Sequence, residues 1–481
     1  MESILFTLFF VALFFIGLLA LRYTPFEISF RRGNFTGLFI YREIFMLIAP
    51  GVVMLNYFGT HRFSGLANTT HDSIFPISIF IVSSLIVFIV VTGLVSRILL
   101  VPLRKTARPS FVVSNPSDLD DKIRKLTFSV VLLGVVVSIV AMVGFGARHA
   151  FFSALLDSER SLLSIRLSNV YGTGMPSVMQ SLMHFCYITS GALLGTRSFD
   201  KKTGLLLLLI AGGVYIATFP GSKAPLLKFL IIYAISYASF HTIRLNIKFL
   251  FKALFSLTIF TATLVFVVTA QFPDMDVVGF FNFLLNRLGV GQIAGVYEQF
   301  NLKITNIDYI WHAVPFANFV MDYPTFHKDL MVISESVFDP TRTGVKNSLF
   351  ISEAYGIGGA AMALLSPFIV GISYAVSFFC FWYAWRRFLL QDNVISMKTC
   401  GLIFVSFLSL TGGFSEWLFL KAMIMLLCFT AVVYFFRMLI SPGIGNVFGS
   451  YHLAPKQTTK KAKSLRVVGL YIGITAGEEL L

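Results

Sequence analysis

Apolar residues in this chain fall in blocks close to twenty residues long, and that block length limits what it can fold into. A helix of about 20 residues covers the hydrocarbon of a bilayer. Composition leads the same way. Hydrophobic residues make up 56% of the chain and charged residues 13%, about half the charged share of a soluble domain. A soluble fold of this size has too little interior to hide so much apolar surface, whereas lipid accepts it. The expected fold is therefore an all-α polytopic integral membrane protein with about 11 spans. They are expected near 4–21, 44–59, 74–96, 126–145, 178–195, 204–219, 225–240, 253–272, 356–384, 399–416 and 417–439. The first block lacks a basic leader and a small-residue cleavage site, so it reads as a retained span.

The divisions follow from these blocks. Residues 1–272 form a membrane domain of eight spans, 273–355 one large loop, 356–439 the last three spans, and 440–481 a basic tail. Two pairs, 204–219 with 225–240 and 399–416 with 417–439, are close enough to be tight hairpins. The block 356–384 is long and contains Pro367, the expected place for a kink.

Loop charge gives the orientation. The alternating set 22–43, 97–125, 196–203, 241–252, 385–398 and the tail from 437 holds 26 of the 38 Lys and Arg residues. The opposite loops hold 10, and Lys228 and Lys421 fall within spans. The richer set is expected to be cytoplasmic, beside anionic lipid. The N-terminus is then periplasmic, the C-terminus cytoplasmic and loop 273–355 extracytoplasmic. The net charge of +15 sits between apolar blocks rather than on a separate domain, which argues against nucleic acid as a partner.

Loop 273–355 has nine acidic and five basic residues. Its start, Val277 to Phe300, carries apolar residues at helical spacing and reads as an interfacial helix. A second outer loop, 146–177, is also amphipathic. There is no internal repeat or pair of broken helices of the kind found in secondary transporters. The four cysteines, Cys186, Cys380, Cys400 and Cys428, all lie in apolar blocks and read as buried, inert thiols. No metal-ligand spacing, nucleotide-phosphate loop or Ser-His-Asp arrangement is present, so no metal or cofactor is expected.

Three groups of residues could carry chemistry. Lys223 is the one charge in the turn Phe219-Pro220-Gly221-Ser222-Lys223; it suits either a snorkelling helix end or a lipid-borne phosphate. Arg148, Arg160, Arg166 and Arg287 lie in the outer loops. They can be solvated faces, or they can bind phosphate through their planar forks of donors; Arg166 and Arg287 sit in apolar helical stretches. Glu353 lies where the large loop re-enters the membrane, as a helix cap or as a functional carboxylate. His312 and His327 are further candidate bases in the loop.

These residues carry a resemblance. The chain resembles the O-antigen polymerases (Wzy-type) and related oligosaccharide repeat-unit polymerases. The similarity lies in the overall plan, in the Phe219–Lys223 turn, and in the stretch Ser352-Glu353-Ala354-Tyr355-Gly356-Ile357-Gly358-Gly359. It implies a glycosyltransferase of the bacterial inner membrane, working on the outer face in lipopolysaccharide or other surface polysaccharide biosynthesis. Undecaprenyl-pyrophosphate-linked oligosaccharide would be its substrate, and a chain-length regulator and a flippase would be its partners. On that reading Arg166, Lys223, Arg287, Arg160 and Arg148 hold the pyrophosphate, and Glu353 or His312 is the base. An O-antigen ligase shares this plan. A lipid-linked oligosaccharide flippase or other transporter is the alternative outside enzymes, although nearly charge-free spans and one dominant outer loop do not favour it.

Overall fold

The computed structural model describes residues 2–27, 36–61, 63, 65–106, 116–149, 153, 175–196, 203–220, 223–240, 254, 258, 279, 285–315, 317, 321–335 and 346–449. Among these residues the chain is helical, without strands. The elements are α1 (Glu2–Leu21), α2 (Leu38–Tyr41), a π-helical stretch (Arg42–Ile48), α3 (Ala49–Phe58), α4 (His71–Thr106), α5 (Pro116–Phe145), α6 (Ser177–Leu194), α7 (Thr203–Thr218) and α8 (Lys223–Phe240). A π-turn (Asn286–Val290) leads into α9 (Gly291–Leu302). A 3-10 helix (Ile307–Ala313), α10 (Phe326–Glu335), α11 (Phe350–Phe388), α12 (Asn393–Phe407) and α13 (Lys421–Gly449) follow. Among the described residues, four segments are long and apolar enough to cross a membrane: His71–Leu100, Leu119–Phe145, Phe350–Phe388 and Leu418–Ile440. Shorter apolar helices include Gly204–Thr218, Ala224–Phe240 and Asn393–Phe407. The protein is thus helical, with helices of membrane length.

The two longest helices, α4 and α11, pack along each other, and α5, α6, α7 and α8 pack side by side. Aromatic contacts join α11 to its neighbours. Tyr374 stands 4.8 Å from Phe404 and 5.0 Å from Trp417, ring centre to ring centre. Basic side chains from the expected cytoplasmic loops finish helix ends. Arg97 donates to the carbonyls of Leu19 and Arg22, Lys398 to Ser239, and Arg437 to Leu389. Each satisfies a carbonyl near a helix C-terminus, where the last turn has no internal partner and the helix dipole favours a cation.

The structure departs from the sequence reading in five places. Segment 22–43 is not simply a solvated loop. Phe26 is buried 5.1 Å from Phe378, Thr24 and Thr36 are buried, and Arg42 is held against the buried Glu43. The expected interfacial helix is largely an interior one, since α9 buries Ile293, Val296, Tyr297, Glu298 and Gln299 against the bundle. Helix α11 breaks not at Pro367 but at Gly358 and Gly359; Gly359 has φ 64° and ψ −156°, a backbone that a side chain would resist. The stretch 399–416 is not one span, because α12 ends at Phe407 and residues 408–420 are irregular with two short 3-10 turns. Last, Cys428 is exposed and Cys380 partly so, while Cys186 and Cys400 are buried. The span expected at 253–272 lies outside the described residues, apart from 254 and 258.

Candidate active site

Irregular backbone inside a membrane bundle persists only where the protein satisfies its polar groups. In residues 408–420, two carboxylates from distant helices do this. Glu43 Oε2 accepts the Ser409 hydroxyl at 2.5 Å and the Leu410 N–H at 3.1 Å. Glu353 Oε2 accepts the Ser415 N–H at 2.8 Å. The non-helical run from Ser409 to Ser415 is therefore pinned at both ends by acids.

Local sequence brings the rest of the site to Glu353. Leu349 is extended and starts α11, so Glu353 falls in the first turn, where the helix dipole favours a carboxylate. Asn306 caps the 3-10 helix Ile307–Ala313 by accepting the Asp308 N–H at 2.9 Å, and its own N–H donates to Gly356 of α11 at 2.8 Å. This sets His312 over the carboxylate. His312 Nδ1 lies 3.5 Å from Glu353 Oε1 and 2.9 Å from the Ser415 hydroxyl. The first residue of α13, Lys421, donates to the His312 carbonyl at 2.6 Å.

A second imidazole approaches from α10. His327 Nδ1 faces the Lys346 carbonyl and the Ser348 hydroxyl, both at 3.2 Å. Its Nε2 is buried without a hydrogen-bond partner, as is Glu353 Oε1. Gly413, at φ 107°, fits between them. A Cβ there would collide with Glu353 Oε2 and lie 2.7 Å from His327 Nε2.

The chemistry of this cluster follows from its geometry. His312 Nδ1 bonds to the Ser415 hydroxyl, and a hydrogen on Nδ1 rather than a lone pair also suits the Glu353 carboxylate 3.5 Å away, which only accepts. The lone pair then falls on Nε2. The Glu353 side chain is 0% exposed and that of His312 is 27% exposed. Hence Glu353 cannot touch an outside hydroxyl in this arrangement, whereas the His312 ring can.

Around this centre the large loop is tied down by a third buried acid. Glu298 accepts from the Asn68 N–H at 3.0 Å, the Asn68 side chain at 2.7 Å and the Thr69 hydroxyl at 2.9 Å. Lys346 donates to Ser334 at 2.6 Å. Burial lowers the Lys346 pKa, against the opposing pull of Glu298 and Glu335. Burial raises that of Tyr309, helped by Asp329, which accepts its hydroxyl at 3.1 Å.

Of the residues expected from sequence, the fold brings Glu353 and His312 together, with His327 on the other side. Arg148 is exposed, near the end of α5. Arg160 and Arg166 lie outside the described residues, as do the side chains of Lys223, which opens α8, and Arg287, in the π-turn before α9. Sequence reasoning missed Glu43, Gly413, Ser415 and the contact of Lys421 with His312. Lys421 gave a signal as a cation inside an apolar block, and Gly412-Gly413 gave one as a turn dipeptide. No protein family, characterised protein or solved structure matches the chain.

Proposed function

We propose that this protein joins undecaprenyl-pyrophosphate-linked oligosaccharide repeat units into O-antigen or a similar surface polysaccharide, at the outer face of a bacterial inner membrane. The observation that carries this reading is the buried Glu353 set against a partly exposed His312 at the head of a membrane-length helix. His312 serves as the general base and Glu353 as the group that orients it. The hydroxyl at the non-reducing end of the incoming unit attacks the anomeric carbon of the growing chain. Its oxygen–carbon bond forms as the anomeric carbon–phosphate oxygen bond breaks, and the hydroxyl proton passes to His312 Nε2. Undecaprenyl pyrophosphate leaves with the electron pair, and the single displacement inverts the anomeric centre. The leaving group needs positive charge more than a proton.

Deleting the gene and resolving the surface polysaccharide by size tests this. Collapse of the ladder to core plus a single repeat unit is the expected result. Loss of all polymer from the core, with polymer still attached to lipid, would identify a ligase, and an unchanged ladder would exclude both. The reading also requires the 273–355 loop to face outward, as the distribution of basic residues supports. A reporter fused near Asp308 that works only in the cytoplasm would overturn it.

A further inference from the structure

Next to the His312 ring the structure exposes an aromatic side chain that the mechanism above does not use. His312 sits on the 3-10 helix Ile307–Ala313, directly after Trp311. Of the four tryptophans in the chain, Trp382, Trp385 and Trp417 are buried in the bundle, whereas Trp311 is 40% exposed. A 3-10 helix has three residues per turn, so positions 308 and 311 stand one above the other, about 6 Å apart. Asp308 is exposed as well, and its carboxylate has no partner among the described residues. From the other side, Tyr323 brings its ring to 6.0 Å from that of His312, and its chain neighbour Asp322 is exposed. An exposed tryptophan and two exposed acids thus lie on the segments that border the accessible imidazole.

The backbone under this group is fixed. Asn306 ties the start of the 3-10 helix to Gly356 and caps Asp308. Buried Tyr309 donates to Asp329 of α10 at 3.1 Å, and Lys421 holds the His312 carbonyl. A ring exposed on a fixed backbone is preorganised for a ligand.

Charge decides which ligand. A tryptophan that anchors in lipid headgroups keeps company with Lys and Arg, which face anionic lipid. Between residues 304 and 323 Asp308 and Asp322 are the only Asp, Glu, Lys or Arg residues, so the local charge is acidic. A pyranose suits this surface. Its C–H face is apolar and packs on the electron-rich face of an aromatic ring. Its hydroxyls donate to carboxylate oxygens, and one carboxylate can take two of them. The same acids repel a sugar that carries a carboxylate or phosphate.

We propose that Trp311, Asp308 and Asp322 form the acceptor subsite, seating a neutral pyranose at the non-reducing end of the incoming unit, with its free hydroxyl at His312. This rests on the polymerase reading above.

Because the other three tryptophans are buried, acrylamide quenching of emission reads the occupancy of Trp311, with Trp311→Phe as the blank. Full-length protein in nanodiscs is titrated with methyl glycosides of glucose, galactose, mannose, rhamnose and N-acetylglucosamine, and with methyl glucuronide. The repeat unit released by mild acid from the host cell's carrier lipid is the remaining probe. The repeat unit and at least one neutral glycoside should shield Trp311, and the glucuronide should not. Asp308→Asn and Asp322→Asn should each raise the half-saturating concentration about 10-fold. In the joining assay, Trp311→Ala should raise the acceptor KM about 10-fold with kcat within a few fold, and Trp311→Phe should restore it. All three residues are exposed, so these variants spare the core. Absence of shielding by every probe overturns the subsite, even where gene deletion collapses the ladder. Shielding by the glucuronide equal to that by neutral sugars overturns the role of the acids. Quenching of Trp311 by brominated phospholipid makes the ring a membrane anchor and overturns the subsite too. Shielding by sugar in a protein whose deletion leaves the ladder intact keeps the sugar site and removes the polymerase reading.

Discussion

The N–H of Ser415 donates to Oε2 of Glu353 at 2.8 Å across 62 residues of chain, and the Ser415 hydroxyl lies 2.9 Å from Nδ1 of His312. Ser415 thus joins the acid at the head of α11 to the imidazole on the 3-10 helix. Through it, the irregular link between α12 and α13 becomes part of the candidate site. If the proposed function holds, this relationship separates the parts of the two residues and makes each open to measurement.

Glu353→Gln retains an acceptor for the Ser415 N–H but removes the charge that fixes the His312 tautomer. Repeat-unit joining by purified protein should fall by about 10²–10⁴-fold, as should that of His312→Ala, at normal expression. The double variant should be scarcely worse than either single one, because the pair acts as a unit. If Glu353→Gln keeps its rate within a few fold while His312→Ala loses it, the acid is only a helix cap.

Gly413→Ala adds a methyl group where Glu353 Oε2 and His327 Nε2 already sit, at a φ of 107°. Backbone strain alone costs about 1–3 kcal/mol. The variant should melt earlier in detergent and lose activity with it. Gly412→Ala is the neighbouring control; an equal loss there would point to general damage of the link.

Glu298→Ala leaves the Asn68 and Thr69 donors without their acceptor. The loss should be on the order of 3 kcal/mol, since buried donors become unsatisfied. Limited proteolysis should then cut near residues 59–70 in the variant and spare the wild type. Equal cutting of both proteins would mean that the acid does not hold the two loops together.

His149 is buried beside α7, with Nε2 at 3.0 Å from the Tyr215 carbonyl. Burial lowers its pKa below the ordinary 6.5, with the Tyr215 carbonyl opposing. The unfolded chain therefore takes up the proton first, so this stabilisation is present above pH 6.5 and fades as the pH falls through that value and below. Thermal unfolding at pH 7.5 and 5.5 should show a destabilisation on acidification that His149→Phe reduces. An identical pH shift in the variant would assign the effect elsewhere.

Arg287 remains a candidate phosphate ligand in loop 273–355. On that reading, Arg287→Ala abolishes polymer while the protein still reaches the membrane. Arg287→Lys rescues poorly, since a point charge lacks the two-pronged geometry. Normal ladders in both variants would remove Arg287 from the candidate phosphate ligands.

How far the sequence alone reaches is set by the range of the forces involved. Block length and apolar composition are local properties, and they determined that the chain is helical and has helices of membrane length. Helix α7 ends before Phe219 and α8 starts at Lys223, as expected, although residues 221 and 222 lie outside the described residues. Glu353 stood out as a carboxylate bordering an apolar block, and His312 as a possible base in the large loop. What tertiary structure decided was how those groups meet. No periodicity tells that Glu43 reaches Ser409 across 366 residues, or that Glu298 closes on Asn68 across 230. The end of α12 at Phe407 did carry a local signal, since residues 408–416 include Ser409, Thr411, Gly412, Gly413, Ser415 and Glu416, but the apolar residues on either side masked it. Residues 408–416 leave the helix where acids from distant segments capture their backbone N–H groups. A buried carboxylate needs donors and a non-helical segment has spare ones, so the pairing is settled by burial in three dimensions rather than by propensity along the chain.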